Sequence, residues 1–148
     1  DSNIVSRIGL KAKAISIDNE FKFYEYVKNI EYKNINCIFV DEAQFLTKEQ
    51  VRDLSKISDK LDIPVMCYGI RTDFQGELFN GSSELLAIAD NLNELKTICS
   101  ECDKKATMVV RLDENGDVIL EGEKILVGGN EIYKTVCRKH FRELTNLI

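Results

Sequence analysis

The stretch CIFVDEAQFL, residues 37–46, decides the fold. Mostly apolar residues run into two adjacent carboxylates, Asp41 and Glu42, and apolar residues resume at once. Upstream the run extends to NINCIFV (34–40), continuous and β-rich, which predicts a strand covered on both faces. Downstream, TKEQ (47–50) is a capping box: Thr47 can accept from a first-turn amide while Gln50 reaches back. The helix it opens sets Val51, Leu54, Ile57 or Ser58, and Leu61 along one face. IPVMCYG (63–69) is then a second buried strand. Strand, helix and strand at this spacing predict a βαβ unit with parallel pairing. In open sheets of that kind functional groups gather at the carboxyl ends of strands, which is where Asp41 and Glu42 fall.

Outward from this unit the signals weaken. Residues 1–13 carry no clear period and read as a flexible lead-in; AISI (14–17) is a candidate short strand. DNEFKFYEYVKN (18–29) has helical spacing of Phe21, Tyr24 and Val27 or Lys28, with Asp18 as candidate cap. SSELLAIAD (82–90) reads as a shorter helix opened by Ser82 or Ser83. From LKTIC (95–99) the pattern changes. TMVVRL (107–112) and VILEG (118–122) flank DENG, a hairpin-turn signal. Residues 1–94 therefore predict an α/β domain and residues 95–148 a small β module.

The chain has 148 residues, long enough for one domain with a real core. Net charge is -5 and no basic run offers a footprint for a phosphate backbone, so nucleic acid is not expected as a main partner. No apolar run approaches the roughly 18 residues of a membrane span, and no signal peptide is visible. Five cysteines are an odd number for a disulfide scaffold. Cys37 and Cys67 lie in apolar runs and read as inert core thiols. The remaining three form CSEC (99–102) and, with the only histidine, CRKH (137–140). Two CxxC/H knuckles give a Cys3His set, Cys99, Cys102, Cys137 and His140, of the kind that holds structural zinc. The other reading is unligated thiols beside a surface histidine. A fully protein-ligated zinc has no open position, so its expected work is to pin a β module too small to hold itself. A reducing, intracellular setting fits both groups of cysteines.

Asp41 and Glu42 side by side at a strand end can divide two tasks, holding magnesium and abstracting a proton. An apolar run ending in DE also resembles the second nucleotide-site motif of P-loop phosphotransferases, where the aspartate organises magnesium. The bland alternative is a solvated strand end. No G-x-x-x-x-G-K-[ST] occurs. In YGIRTDFQGELF (68–79), Phe74 and Phe79 sit among polar neighbours, where an aromatic can stack on a planar ligand or serve a satellite core. Arg71 and Asp73 can touch phosphate or sugar, or pair with other charges. LVGGNEIYKTVC (126–137) runs through Gly128-Gly129 into the second knuckle. A metal-anchored loop of this composition can present backbone groups to a base, with Tyr133 closing over it, or can be an ordinary turn between knuckles.

Taken together, VSRIG (5–9), FVDEAQF (39–45), YGIRTDFQGELF, CSEC, VGGNEIY (127–133) and CRKH, in this order, resemble the zinc-containing (type II) thymidine kinases of bacteria, vertebrate cytosol and poxviruses. The likeness spans essentially the whole chain. It implies an α/β fold, a P-loop-kinase-like parallel sheet with helices, plus a small C-terminal zinc ribbon carrying a nucleoside-closing loop. It implies ATP-dependent phosphorylation of the 5′-hydroxyl of thymidine, with Glu42 as base, Asp41 helping to hold the Mg2+ that accompanies ATP, and Arg7 near the phosphates. Phe74 and Ile70 would line the thymine pocket. Val127, Gly128, Gly129 and Tyr133 would belong to a lasso binding the base through main-chain atoms. Zn2+ on Cys99, Cys102, Cys137 and His140 would be structural. The family pattern further implies a cytoplasmic homotetramer serving DNA synthesis, inhibited by thymidine triphosphate. It also includes a glycine-rich phosphate loop and its helix, which are absent here, so the sequence is expected to be part of a longer chain. The competing expectation is a non-catalytic zinc-ribbon interaction module on a remnant of a nucleotide fold.

Overall fold

The computed structural model describes residues 2–126 and 132–148. The chain opens with a hairpin, β1 (Ser2–Val5) antiparallel to β2 (Lys11–Ala14), so the expected flexible lead-in is instead paired and the AISI strand ends where it was expected to begin. Gly9 supplies the cause. Its φ of +88° completes a turn closed by Ser6 N–H to the Leu10 carbonyl at 2.8 Å. Helix α1 (Phe23–Lys28) is shorter than the sequence pattern indicates. Asp18 does not cap it; Asp18 Oδ1 accepts the Glu20 N–H at 3.0 Å within the preceding turn. The first-turn Tyr24 N–H is met by Asp53 Oδ2 of the following helix at 2.9 Å.

The central unit forms as expected. Strand β3 (Ile38–Val40), helix α2 (Lys48–Leu61) and strand β4 (Val65–Cys67) make a βαβ crossover, with β3 and β4 parallel in the register Ile38 opposite Val65 and Val40 opposite Cys67. The capping box is present in full: Gln50 N–H to Thr47 Oγ1 and Thr47 N–H to Gln50 Oε1, both 3.1 Å. Val51, Leu54 and Ile57 of α2 join Phe23, Val27, Val40 and Ile63 in one core. The expectation of a strand covered on both faces is not met. Phe39 is 67 % exposed, because the two-stranded sheet packs only one face against α1 and α2. Helix α3 (Asn80–Ile88) starts before Ser82, with no side-chain cap; Ser82 instead donates to the Ile70 carbonyl at 2.5 Å.

The second module has its own core of Cys99, Val110, Leu112, Val136, Cys137 and Phe141. Strand β5 (Thr97–Ile98) pairs with β6 (Lys105–Ala106) around the first knuckle. Strand β7 (Met108–Leu112) lies between β8 (Val118–Ile119) and β9 (Ile132–Val136), both antiparallel to it. The DENG turn joins β7 to β8 with Gly116 at φ +84°. Helix α4 (Arg138–Thr145), which the sequence reading leaves out, starts inside the second knuckle. Among the described residues no helix is long and apolar enough to cross a membrane.

Candidate functional site

Val40 ends β3, and Asp41 and Glu42 follow at the carboxyl edge of the sheet, both exposed. Glu42 N–H donates to Asp41 Oδ1 at 3.0 Å. Glu42 itself adopts φ 51° and ψ 41°, a left-handed conformation uncommon outside glycine. This kink sends the chain into a single 3-10 turn, Ala43–Phe45. The turn is pinned to the neighbouring strand: Tyr68 N–H donates to the Val40 carbonyl at 2.9 Å and Ala43 N–H to the Tyr68 carbonyl at 2.8 Å.

Gln44, only 3 % exposed, sits beneath the kink. Its Nε2 donates to Glu42 Oε2, and its Oε1 accepts the Ile70 N–H at 3.3 Å. One buried amide thus joins the carboxylate to the loop after β4. Two glycines make room for it. A Cβ on Gly69 would stand 2.5 Å from Gln44 Oε1 and 3.0 Å from its backbone nitrogen, and one on Gly81 would meet the Ala43 carbonyl oxygen at 2.3 Å. An exposed carboxylate held from below in this way can accept a proton from a ligand hydroxyl approaching from solvent. Asp41, exposed and hard-oxygen in character, fits a magnesium ligand.

The loop after β4 is built on Asp73, whose Oδ1 accepts the N–H groups of Gln75 (2.9 Å) and Glu77 (3.0 Å). Lys124 Nζ reaches Asp73 Oδ2 at 3.3 Å and donates to the Leu78 carbonyl at 2.7 Å, and Gln75 Nε2 donates to the Leu120 carbonyl at 2.9 Å. The loop is therefore lashed to the second module. Phe74 is 1 % exposed, and the Arg111 guanidinium lies 3.7 Å from its ring centroid. Arg111 Nε donates to Tyr133 Oη at 2.8 Å. The structure so brings Phe74 and Tyr133 together through Arg111, with Ile70 exposed on the stretch bonded to Gln44. Phe79 is buried and meets Phe45 edge-on at 5.6 Å between centroids. Arg7 lies at the tip of the β1–β2 hairpin, exposed, in a turn that closes on itself. Val127, Gly128 and Gly129 fall outside the described residues.

The second site is the cluster of Cys99, Cys102, Cys137 and His140, whose donor atoms all lie within 4.8 Å of one another. Cys102 and Cys137 sulfurs are 3.8 Å apart, and Cys99 Sγ is 3.6 Å from His140 Nδ1. A tetrahedron with Zn–S of about 2.3 Å and Zn–N of about 2.05 Å requires separations of about 3.8 Å and about 3.6 Å. Those two pairs stand at zinc-ligand separations, and Cys137 Sγ is a little closer to His140 Nδ1, at 3.3 Å. Electrostatics agree for two of the three thiols; at Cys102 the Lys104 amide is outweighed by burial and the neighbouring Cys99 and Cys137 thiols, and its thiol is raised. Burial pushes the Cys99 thiol up, but the Cys137 and Glu101 amides and the His140 ring outweigh it and bring it down to about 6. The Cys137 thiol is also lowered, first by the His140 amide, and His140 is raised, first by its hydrogen bond with Cys137. His140 Nε2, on the far side of the ring, is 3.8 Å from Glu143 Oε2, the kind of outer carboxylate that orients a ligating imidazole. Of the two other cysteines, Cys67 packs on the first core and burial raises its thiol to about 11.

Gln44, Arg111, Lys124 and Glu143 escape the sequence reading. Two of them leave a trace: Arg111 is a lone charge in the apolar strand TMVVRL, and Gln44 a lone amide between apolar neighbours in EAQFL.

Comparison with known proteins gives one consistent result. The family model described as thymidine kinase matches residues 1–141. A thymidine kinase of Shewanella oneidensis is 56 % identical over 141 residues, covering 95 % of this chain and 73 % of its own length. That of Rhodopirellula baltica is 55 % identical over 141 residues, covering 95 % and 66 %. The enzyme of Enterobacteria phage T4 is 54 % identical over 143 residues, covering 96 % and 73 %.

Proposed function

The chain belongs to the thymidine kinase family, and on that premise we propose that it carries the nucleoside-binding and proton-accepting parts of an enzyme that transfers the γ-phosphoryl group of ATP to the 5′-hydroxyl of thymidine. The observation that carries this reading is the Glu42 carboxylate, exposed at the end of β3 and held from beneath by Gln44.

In this mechanism Glu42 orients the 5′-hydroxyl and takes its proton, which raises the nucleophilicity of the oxygen toward phosphorus. Gln44 limits the positions the carboxylate can take, so the proton acceptor is in place before the substrate arrives. Asp41 supplies an oxygen ligand to the magnesium of the nucleotide, and Arg7 a cation toward its phosphates. Magnesium bound with ATP offsets negative charge on the transferring group. Ile70 and the Phe74–Arg111–Tyr133 assembly border the thymine, together with Val127, Gly128 and Gly129. Closure there excludes water, which otherwise competes as acceptor. Cys99, Cys102, Cys137 and His140 would hold zinc, which would tie the β5–β6 hairpin to β9 and α4. The proposal extends to the homotetramer, the cytoplasmic location and inhibition by thymidine triphosphate that the family resemblance implies.

The reaction is tested with γ-labelled ATP and the full-length protein. Thymidine and 3′-deoxythymidine are expected to take up label, and 5′-deoxythymidine none. Label on 5′-deoxythymidine, or none on thymidine, contradicts the proposal.

A further inference from the structure

Arg111 is among the largest side chains in the chain and is 1 % exposed. A buried cation needs compensation, and here it comes from a particular arrangement. The guanidinium carbon lies 3.7 Å from the Phe74 ring centroid and 5.3 Å from that of Tyr133. Nε donates to Tyr133 Oη at 2.8 Å, and one terminal nitrogen donates to the Lys124 carbonyl at 3.3 Å. Arg111 and Tyr133 are register partners across β7 and β9, so their side chains share one face of that sheet. Phe74 belongs to a different part of the chain, the loop after β4. Lys124, whose carbonyl Arg111 holds, sends its ammonium to Asp73, next to Phe74. Of the ties between the loop and the second module, one is therefore Arg111 itself on Phe74 and another runs through Lys124, whose carbonyl Arg111 holds.

We propose that Arg111 is a positioning residue for the nucleoside: it fixes Phe74 and Tyr133 at a set separation and thereby determines affinity and fit for the base. This rests on the reading that Phe74 and Tyr133 border the thymine. The planar guanidinium suits the task, because it stacks on an aromatic face while its edge donates in a fixed direction. A lysine in its place keeps the charge but loses the plane and the fork.

The test uses the full-length, zinc-loaded enzyme and four variants: Arg111→Lys, Tyr133→Phe, the double substitution and Tyr133→Leu. Arg111→Lys is expected to raise KM and Kd for thymidine about tenfold or more, on the scale of a desolvated cation–π contact, while KM for ATP and zinc content stay at the parent values. Tyr133→Phe, which removes only the acceptor of the Arg111 hydrogen bond, is expected to weaken thymidine binding in the same sense. The double variant should then be little worse than Arg111→Lys alone, since both remove one interaction. An unchanged thymidine KM in Arg111→Lys, a loss confined to active fraction with both KM values unchanged, or additive effects in the double variant overturns the inference. If Arg111→Lys does not fold, Tyr133→Phe decides, and unchanged thymidine affinity there overturns it. Tyr133→Leu separates the premise: if it leaves thymidine affinity unchanged, the placement of Tyr133 at the base fails and the inference falls with it. If it weakens binding and Arg111→Lys does not, only the role of Arg111 falls.

Discussion

A carboxylate accepts protons well only if it is held where the proton will be, and at this site the holding is done by one amide. Gln44 is buried, gives its NH2 to Glu42 and takes the Ile70 N–H on its oxygen. Gln44→Met keeps most of the volume and removes both bonds. The expected result is a fall in kcat of about 10-fold to 10²-fold, as for other small misplacements of a reacting group, with KM for ATP unchanged. Steady-state kinetics checks this, and a parent-like kcat would remove Gln44 from the account. The sequence shows why this residue is hard to find. Asp41 and Glu42 stand out as charges ending an apolar run, whereas a glutamine two residues later shows only as a lone amide between apolar neighbours, with nothing to say what it bonds. What makes it matter is the left-handed backbone at Glu42, which folds the next turn under the carboxylate, and no residue preference announces that conformation in a glutamate.

At the scale of elements the local rules carry far. Thr47 and Gln50 form their box, and the α2 apolar face and the DENG turn appear where periodicity and turn chemistry put them. The hairpin at Ser2–Ala14 and the helix at Arg138–Thr145 do not. Alternation in the first is blurred by lysines and alanines, and the second is hidden because its first turn is also a metal knuckle. The zinc site is the most legible element of all, since its donors converge at tetrahedral separations. It also carries a prediction. The Cys99 thiol is lowered from 9.0 to about 6, so the thiolate contribution to the folded module is complete only above about 9 and is lost as pH falls through about 6. Zinc retention, followed with a colorimetric chelator, is expected to fall in the same direction, and Cys102→Ser to lose the metal with order in residues 97–145. Full zinc occupancy in Cys102→Ser, or retention that improves below pH 6, would contradict the ligand set.

Among the described residues, the two cores are tied to each other by Asp73 with Lys124, Gln75 with Leu120, and Phe74 with Arg111. A division near residue 95 is an expectation drawn from the change in sequence pattern; the ties leave no mark there. They join residues 37 or more positions apart, by side-chain bonds in two cases and by a ring stacked on a cation in the third. Their arrangement puts the strand-end carboxylate in one module and an aromatic pair pinned between the two; in the proposed function the first acts on the nucleoside hydroxyl and the second borders the base. The central claim is that Glu42 removes the proton from that hydroxyl. Single-turnover phosphoryl transfer by full-length Glu42→Gln, measured alongside thymidine Kd, tests it most directly. The account predicts a rate lowered by about 10²-fold to 10⁴-fold with Kd near the parent value; a parent-like rate, or a loss wholly explained by weaker thymidine binding, would contradict it.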